Sequence, residues 1–552
     1  MTITPAPAVE PGPGRTGRVE AVLGRLLAVR GGYSDATVST DIRVPMRDGV
    51  DLLADHHVPS GAAVGTVLIR SPYGAGPLFT GMLAGPYLAA GHHVVVQRCR
   101  GTFGSGGRFE PMVNEVHDGA DTVAWLREQP WFGGRFATVG PSYLGYVQWG
   151  LLMDPPPELA AAIIQVGPHD FHDAVYAGGA FALNDFLGWT DLVSHQERTG
   201  LIGAQLRALT ATRRQSSAMA HLPVADAAEK LAAGTAPWYR DWASHRDPHD
   251  PFWEPMRLGA ALDRVKVPVL LQTGWQDLFL PQTLAQFAHL QGRGVEVAMT
   301  VGPWTHIETV QKGGALLARE GVDWLAEHLT GTGSRLRWSP VRVFVTGVDE
   351  WRELPTWPPA SVEQVLHPNP DGVLSNEPTE PGAGPLTFTY DPSHPTPTIG
   401  GRLLATTGGY RNDSKLAKRK DVLSFTSTPL AVPLEVVGVP RVELAHSSDN
   451  PHADVFVRIS EVDAKGRSRN VSDGFVRLGP EHTGPTLALE LDPIAHRFAA
   501  GHRIRLLVAG GSFPRWERNL GTDGDPSTTR TMTPSRRTLL LAGSRLLLPV
   551  KA

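Results

Sequence analysis

The sequence of 552 residues contains one cysteine, Cys99. A single thiol excludes an internal disulfide framework and any zinc or iron–sulfur site built from several cysteines. No run reaches about 18 apolar residues, so no membrane helix is expected. The opening segment, MTITPAPAVEPGPGRTGRVE, lacks a basic start followed by an apolar stretch, which is the pattern of a secretory leader. Basic charge is not in excess either. Lys and Arg number 51 against 55 Asp and Glu, giving a formal net charge of −4 that disfavours nucleic acid as a partner. These absences point to a cytoplasmic protein that engages neither membrane nor nucleic acid, with no metal and no cofactor called for.

What is plentiful is glycine (60) and proline (47), with no collagen-like period. That composition implies many turns and a large β component. With 41% hydrophobic and 19% charged residues the chain can pack well-formed cores, and its length suits about three domains. Residues 1–30 are Pro/Gly-rich and read as a flexible tail. Thr37 to Val58 alternates about Arg47-Asp48-Gly49, a hairpin signal. Short apolar runs then recur at 66–70, 93–97, 136–140, 161–166, 268–273 and 295–301, with helical stretches between them. Buried strands alternating with helices predict a mostly parallel sheet covered on both faces. The rhythm breaks over 169–261, where Ala- and Leu-rich stretches such as LIGAQLRALTATRR predict helices without strands. An insertion of that kind tends to cover the strand ends where ligands sit. Over 336–552 the pattern becomes alternating strands broken by Gly, Pro, Asp and Asn, as in a β-sandwich or jelly roll. The predicted architecture is therefore an α/β core over 31–168 and 262–335, a helical cap over 169–261, and a β domain over 336–552.

Gly140-Pro141-Ser142-Tyr143-Leu144-Gly145 lies between the strand FATV and the helical YLGYVQWGLL. A serine between small residues at a strand-to-helix corner is thrust above the sheet edge, where helix-terminal amides can meet an oxyanion. A serine hydroxyl needs a base, and the base needs an orienting acid. Two later strands supply them in the order Ser, Asp, His: PVLLQTGWQD ends at Asp277 and EVAMTVGPWTH at His306. The five-residue elbow motif would place glycine at 144, and here it is Leu144 with glycine one residue later.

The motifs GPSYLG, TGWQD and VGPWTH, with RSPYG upstream and VRVFVTGVDEWRELPTWPP downstream, resemble those of the CocE/NonD serine hydrolases. That group contains cocaine esterase, α-amino-acid ester hydrolases and X-prolyl dipeptidyl peptidases. The resemblance runs from about residue 38 almost to the C-terminus. It implies an α/β-hydrolase core, an inserted helical cap and a C-terminal jelly roll. It implies Ser142 as nucleophile, His306 as base and Asp277 as orienting acid. It also implies that the hydroxyl of Tyr73 and the amide of Tyr143 form the oxyanion hole, and that Trp189 and Phe279 line the substrate pocket. Asp277 is followed by Leu278, Phe279 and Leu280 rather than by acids, which favours an apolar acyl pocket over one that holds a substrate ammonium. Asn412-Asp413 stands where the resemblance would place an Asp-Gln pair, so a role of that loop in specificity is left open. The expected partner is a small-molecule ester or amide, with a homodimer also left open. The expected reaction is hydrolysis through an acyl-enzyme. The alternatives are an X-Pro dipeptidyl peptidase and an acyltransferase of secondary metabolism working with the same three residues.

Other signals carry less. Gly12-x-Gly14-x-x-Gly17 fits a dinucleotide fingerprint by letters only, since it lies in a Pro-rich tail with no preceding strand. RGTFGSGGRF lacks the lysine of a phosphate loop and reads as a tight or mobile loop near the site. His56-His57 and His92-His93 are adjacent pairs whose members point to opposite faces of a strand.

Overall fold

The computed structural model describes residues 37–551 apart from 75–76, 199–200, 233, 334–336, 338 and 483. The expected tail of residues 1–30 lies outside the described residues.

The hairpin comes first. Strands β1 (Thr37–Pro45) and β2 (Asp51–Val58) pair antiparallel, and Gly49 turns the chain with φ +83°. The α/β core follows: β3 (Gly65–Ser71), α1 (Pro77–Ala89), β4 (His92–Arg98), α2 (Glu115–Arg127), β5 (Phe136–Pro141), α3 (Tyr143–Leu151) and β6 (Leu159–Gln165). The cap contributes α4 (Leu183–Val193), α5 (Leu201–Met219) and shorter helical turns. The core resumes with β7 (Val269–Gln276), α6 (Leu280–Gly292), β8 (Val297–Thr305), α7 (His306–Gln311) and α8 (Gly314–His328).

The strands run in the order β1-β2-β4-β3-β5-β6-β7-β8, then β9 (Val341–Val345) and β10 (Glu350–Leu354). From β4 through β9 every neighbouring pair is parallel. Burial explains the near-continuous apolar runs. β5 and β7 are buried at every residue and β6 at all but its last, because helices cover both faces. β9 and β10 lie beyond residue 335, the sequence-based limit of the core, yet they complete its sheet. β9 extends β8 in parallel and β10 returns antiparallel to it. Their alternating pattern looks like the start of a β domain because they form the sheet's outer edge, where one face is less covered.

Residues 361–551 form the second sheet system of twelve strands, antiparallel except for one short parallel pair (Val373–Ser375 with Val422–Ser427). Its last strand (Ser535–Lys551) is 17 residues long and pairs with four others. A second core of Val, Leu, Ile and Phe side chains, including Phe425, Val457, Ile459 and Leu506, fills its interior.

The cap is clamped between the two sheet systems. Gly178, at φ +74°, approaches so closely that a Cβ there would stand 2.6 Å from the Phe475 carbonyl oxygen of the jelly roll. Arg246 of the cap forks onto the buried Glu517 at 2.6 and 2.7 Å, and Arg477 pairs with the same carboxylate.

Candidate active site

Ser142 follows β5 and precedes α3 with φ +60° and ψ −121°, a conformation that costs a non-glycine residue free energy and persists only where the surroundings impose it. Two glycines impose it here. A Cβ at Gly140 would meet the Leu144 Cβ at 2.4 Å, and one at Gly145 would meet Gly167 Cα at 2.7 Å. The displaced second glycine of the elbow thus has a reason. Position 145 is where α3 crosses the chain leaving β6, whereas Leu144 packs fully buried against Gly140.

Asp277 and His306 reach Ser142 from the two neighbouring strands. Gln276 pairs with Thr305 after an irregularity in the β7/β8 register, so the residues that follow emerge side by side at the carboxyl edge. Gly274 permits that irregularity, since its Cβ would lie 2.2 Å from the Trp304 carbonyl oxygen. His306 opens α7, whose start is held by a capping box between Thr305 and Glu308. His306 Nε2 lies 2.9 Å from Ser142 Oγ, and His306 Nδ1 lies 2.6 Å from Asp277 Oδ1. Asp277 is fully buried, and its second oxygen accepts from Thr273 Oγ1 at 3.0 Å and from the Phe279 amide at 3.1 Å. With Asp277 accepting, the imidazole proton sits on Nδ1, and Nε2 is left to accept from the serine.

Tyr73 follows β3, on the far side of Ser142 from His306. Its hydroxyl accepts from Trp189 Nε1 at 3.0 Å and also hydrogen-bonds Ser142, and burial pushes its pKa up to about 12. Tyr143 heads α3 with its amide next to Ser142. Its ring is buried, and its hydroxyl donates to Glu115 at 2.7 Å and accepts from the Met112 amide at 2.9 Å. Burial raises both the Tyr143 and Glu115 pKa values, and Arg70 pairs with Glu115 at 2.9 Å. Sequence reasoning gave no role to Glu115, which no quoted motif contains, or to Arg70, which opens the RSPYG motif. Trp189 stacks 7° from parallel with the Tyr143 ring at 6.3 Å, and Phe279 stands edge-on to His306 at 5.4 Å.

Six of the seven residues singled out from the sequence line one cavity; the seventh, Asp277, is fully buried and meets the site through His306. The remaining walls of the cavity include Met112, Phe171, Phe186, Leu404 and Asp185, none of which sequence reasoning found. Leu404 comes from the jelly-roll segment, and Asp185 comes from α4. Asp185 precedes Trp189 by four residues, one helical turn, and that spacing was the available signal. The pocket is therefore not wholly apolar. The Asn412-Asp413 pair is not part of it. Asp413 is buried in the jelly roll, where it accepts from Ser460 Oγ at 2.6 Å.

The glycine-rich loop after β4 is tight. Gly101, at φ +67°, has room for no Cβ, which would lie 2.2 Å from the Phe109 nitrogen. The histidine pairs meet across strands, with His56 Nε2 3.1 Å from His93 Nδ1 and the His56 ring stacked on Trp131. Two groupings of carboxylates with a histidine, Asp170-His172-Asp173 and Glu296-Glu327-His328, bring three ligand-type atoms together, but none of these residues lines the Ser142 cavity.

Residues 48–308 match the family model of the X-Pro dipeptidyl-peptidase (S15 family), and residues 336–545 match that of the X-Pro dipeptidyl-peptidase C-terminal non-catalytic domain. Cocaine esterase of Rhodococcus sp. (strain MB1 Bresler) is 30% identical, covering 90% of this chain and 94% of its own. The chain belongs to the CocE/NonD hydrolases of the S15 family. Among solved structures, an α-amino acid ester hydrolase superposes with a TM-score of 0.80 at 23% identity, over 94% of this chain and 97% of its own. An aminopeptidase from a marine sediment Thaumarchaeota archaeon superposes at 0.79 and 22% identity, over 94% and 97%. This S15 hydrolase thus shares their fold: an α/β-hydrolase core joined to a β-rich C-terminal domain. It is an enzyme of the serine esterase and peptidase class. Among the described residues no helix is long and apolar enough to cross a membrane.

Proposed function

We propose that this S15 hydrolase cleaves small-molecule carboxylic esters, and activated amides more slowly, through an acyl-enzyme on Ser142. The hydrogen-bonded series Ser142–His306–Asp277 carries the reading. Ser142 Oγ attacks the carbonyl carbon while His306 Nε2 takes the hydroxyl proton. Asp277 holds the imidazole in the needed tautomer and stabilises the imidazolium. The carbonyl oxygen becomes an oxyanion between the Tyr73 hydroxyl and the Tyr143 amide at the start of α3, whose dipole favours negative charge there. The proton on His306 passes to the departing alkoxide, and the C–O bond breaks. Water then enters, gives a proton to His306 and releases the acid, and the serine recovers its proton.

Tyr73 stays a neutral donor at any working pH, since its pKa of about 12 lies far above neutrality. Trp189 and Phe279, with Phe186 and Leu404, offer apolar surface to the substrate. Hydrolysis is preferred to acyl transfer because Ser142 is half-buried rather than sealed from water. A cytoplasmic site of action suits the lone thiol of Cys99.

The test compares wild type with Ser142→Ala on 4-nitrophenyl butyrate, an alkyl butyrate and Ala-Pro-4-nitroanilide. Labelling by a fluorophosphonate is located by mass spectrometry. Ester turnover that vanishes in the variant, with the label on Ser142, is expected. A label elsewhere, or turnover that survives the substitution, defeats the assignment. Faster cleavage of Ala-Pro-4-nitroanilide than of the esters would favour the dipeptidyl-peptidase reading instead.

A further inference from the structure

Asp185 is a carboxyl group in the wall of the Ser142 cavity, and it is 5% exposed. Its Oδ1 accepts from the Leu404 amide at 2.7 Å, which ties the cap to the jelly roll above the pocket. Among the described residues no cation pairs with it. The guanidinium groups whose fields reach it, Arg515 and Arg402, are already committed. Arg402 pairs with Asp492 at 2.6 Å, and Arg515 with Asp473 at 2.8 Å and Asp492 at 3.6 Å. Arg458 closes the group onto Asp473 at 2.6 Å and Asp413 at 3.7 Å. Three arginines thus face three aspartates, and the network is neutral without Asp185.

A buried carboxylate without a counter-charge is costly, and its pKa is pushed up by burial to about 6. A cation entering the cavity would supply the missing charge. The remaining walls suit one kind of cation. Phe171, Phe186 and Trp189 line the same cavity, and aromatic faces attract alkylammonium groups. From the sequence, the absence of acids after Asp277 speaks against an ammonium site; the acid comes instead from the cap.

The geometry points to Asp185 as a specificity-determining residue that selects esters carrying an alkylammonium group. The inference rests on the esterase reading of Ser142. The ammonium can belong to the acyl half or the alcohol half of the substrate, so the experiment uses one matched pair for each. Ethyl 6-aminohexanoate is compared with ethyl heptanoate, and butyrylcholine with 3,3-dimethylbutyl butyrate. The readout is the ratio of kcat/KM, charged over neutral, in wild type and in Asp185→Asn. The asparagine keeps an oxygen for the Leu404 amide and removes only the charge.

Wild type is expected to prefer the charged member of one pair at least tenfold, and Asp185→Asn to lower that ratio at least tenfold. The pair that responds identifies the half that carries the ammonium. Ratios near one in wild type, or an unchanged ratio in the variant, overturn the inference and leave Asp185 as a brace for Leu404. If the variant does not fold, competition on wild type decides: butylammonium should inhibit butyrate ester turnover at least tenfold more tightly than 1-butanol, and equal inhibition overturns the inference. Absence of turnover with every ester, together with no fluorophosphonate label on Ser142, would instead defeat the underlying esterase reading.

Discussion

Replacing Tyr73 by phenylalanine deletes one hydroxyl and nothing else, and so tests the oxyanion role proposed for it. Trp189 Nε1 donates to the Tyr73 oxygen at 3.0 Å, so one lone pair is occupied, and the hydroxyl also hydrogen-bonds Ser142. Because the pKa is about 12, the phenolic proton is present throughout the working range, and the group can donate it to a substrate oxygen. One oxyanion donor of this kind contributes about 3 kcal/mol to the transition state, or roughly 10²–10³-fold in kcat. The Tyr73→Phe variant should show that loss in kcat with KM changed much less, because the interaction strengthens only as charge develops on the substrate oxygen. The deficit should not vary between pH 7 and 9. The assay is release of 4-nitrophenol from 4-nitrophenyl butyrate, with Ser142→Ala as the background. A loss smaller than fivefold, or one confined to KM, would refute the assignment of Tyr73 to the oxyanion.

Three further outcomes follow from the geometry. Gly145→Ala places a Cβ 2.7 Å from the Gly167 Cα, where neither backbone can yield; it should cost about 1–3 kcal/mol by overpacking and lower the melting temperature by roughly 1–3 °C, and an unchanged melt would contradict the close crossing. Asp277→Asn should leave the fold intact but favour the wrong imidazole tautomer, reducing kcat by about 10⁴-fold in steady-state ester assays, and a mild effect would remove Asp277 from its role. Burial alone would raise the Glu517 carboxyl, but Arg246 and Arg477 hold it at about 2, below its ordinary 4.5. A folded-state pKa below the unfolded one contributes stability that is present above about pH 4.5 and lost as pH falls toward 2. The contribution is about 3 kcal/mol, so in urea titrations the gap between wild type and Glu517→Gln should narrow by that order between pH 5 and 2; a constant gap would exclude it.

Much of the molecule was legible in the sequence because its signals are local. The apolar runs that become β3 to β8 are fully buried strands, and such strands need only hydrophobic continuity and turn residues at their ends. Ser142, Asp277 and His306 each sit one step past a strand, so chain order and strand direction sufficed to bring them to one edge. What stayed hidden depends on contacts between distant segments. β9 and β10 alternate like jelly-roll strands because an edge strand is half covered, and only pairing with β8 shows which sheet they join. Leu404 is an ordinary leucine in a loop until it closes the cavity from another domain. Asp185 reads as a helix residue until the charges around it prove to be already matched. Leu144, which breaks the five-residue motif, becomes intelligible only once Gly145 is seen against Gly167.

The contact of Arg402 with the Leu278 carbonyl at 2.9 Å, beside Leu404 in the cavity wall, makes the C-terminal unit a structural part of the reaction chamber. A truncated chain ending after residue 354 would keep Ser142, Asp277 and His306 and lose one wall of the cavity that Ser142 and His306 line. Chimeras that exchange only the last two hundred residues should therefore alter which molecules are processed, so both halves of the gene are open to selection for a changed diet.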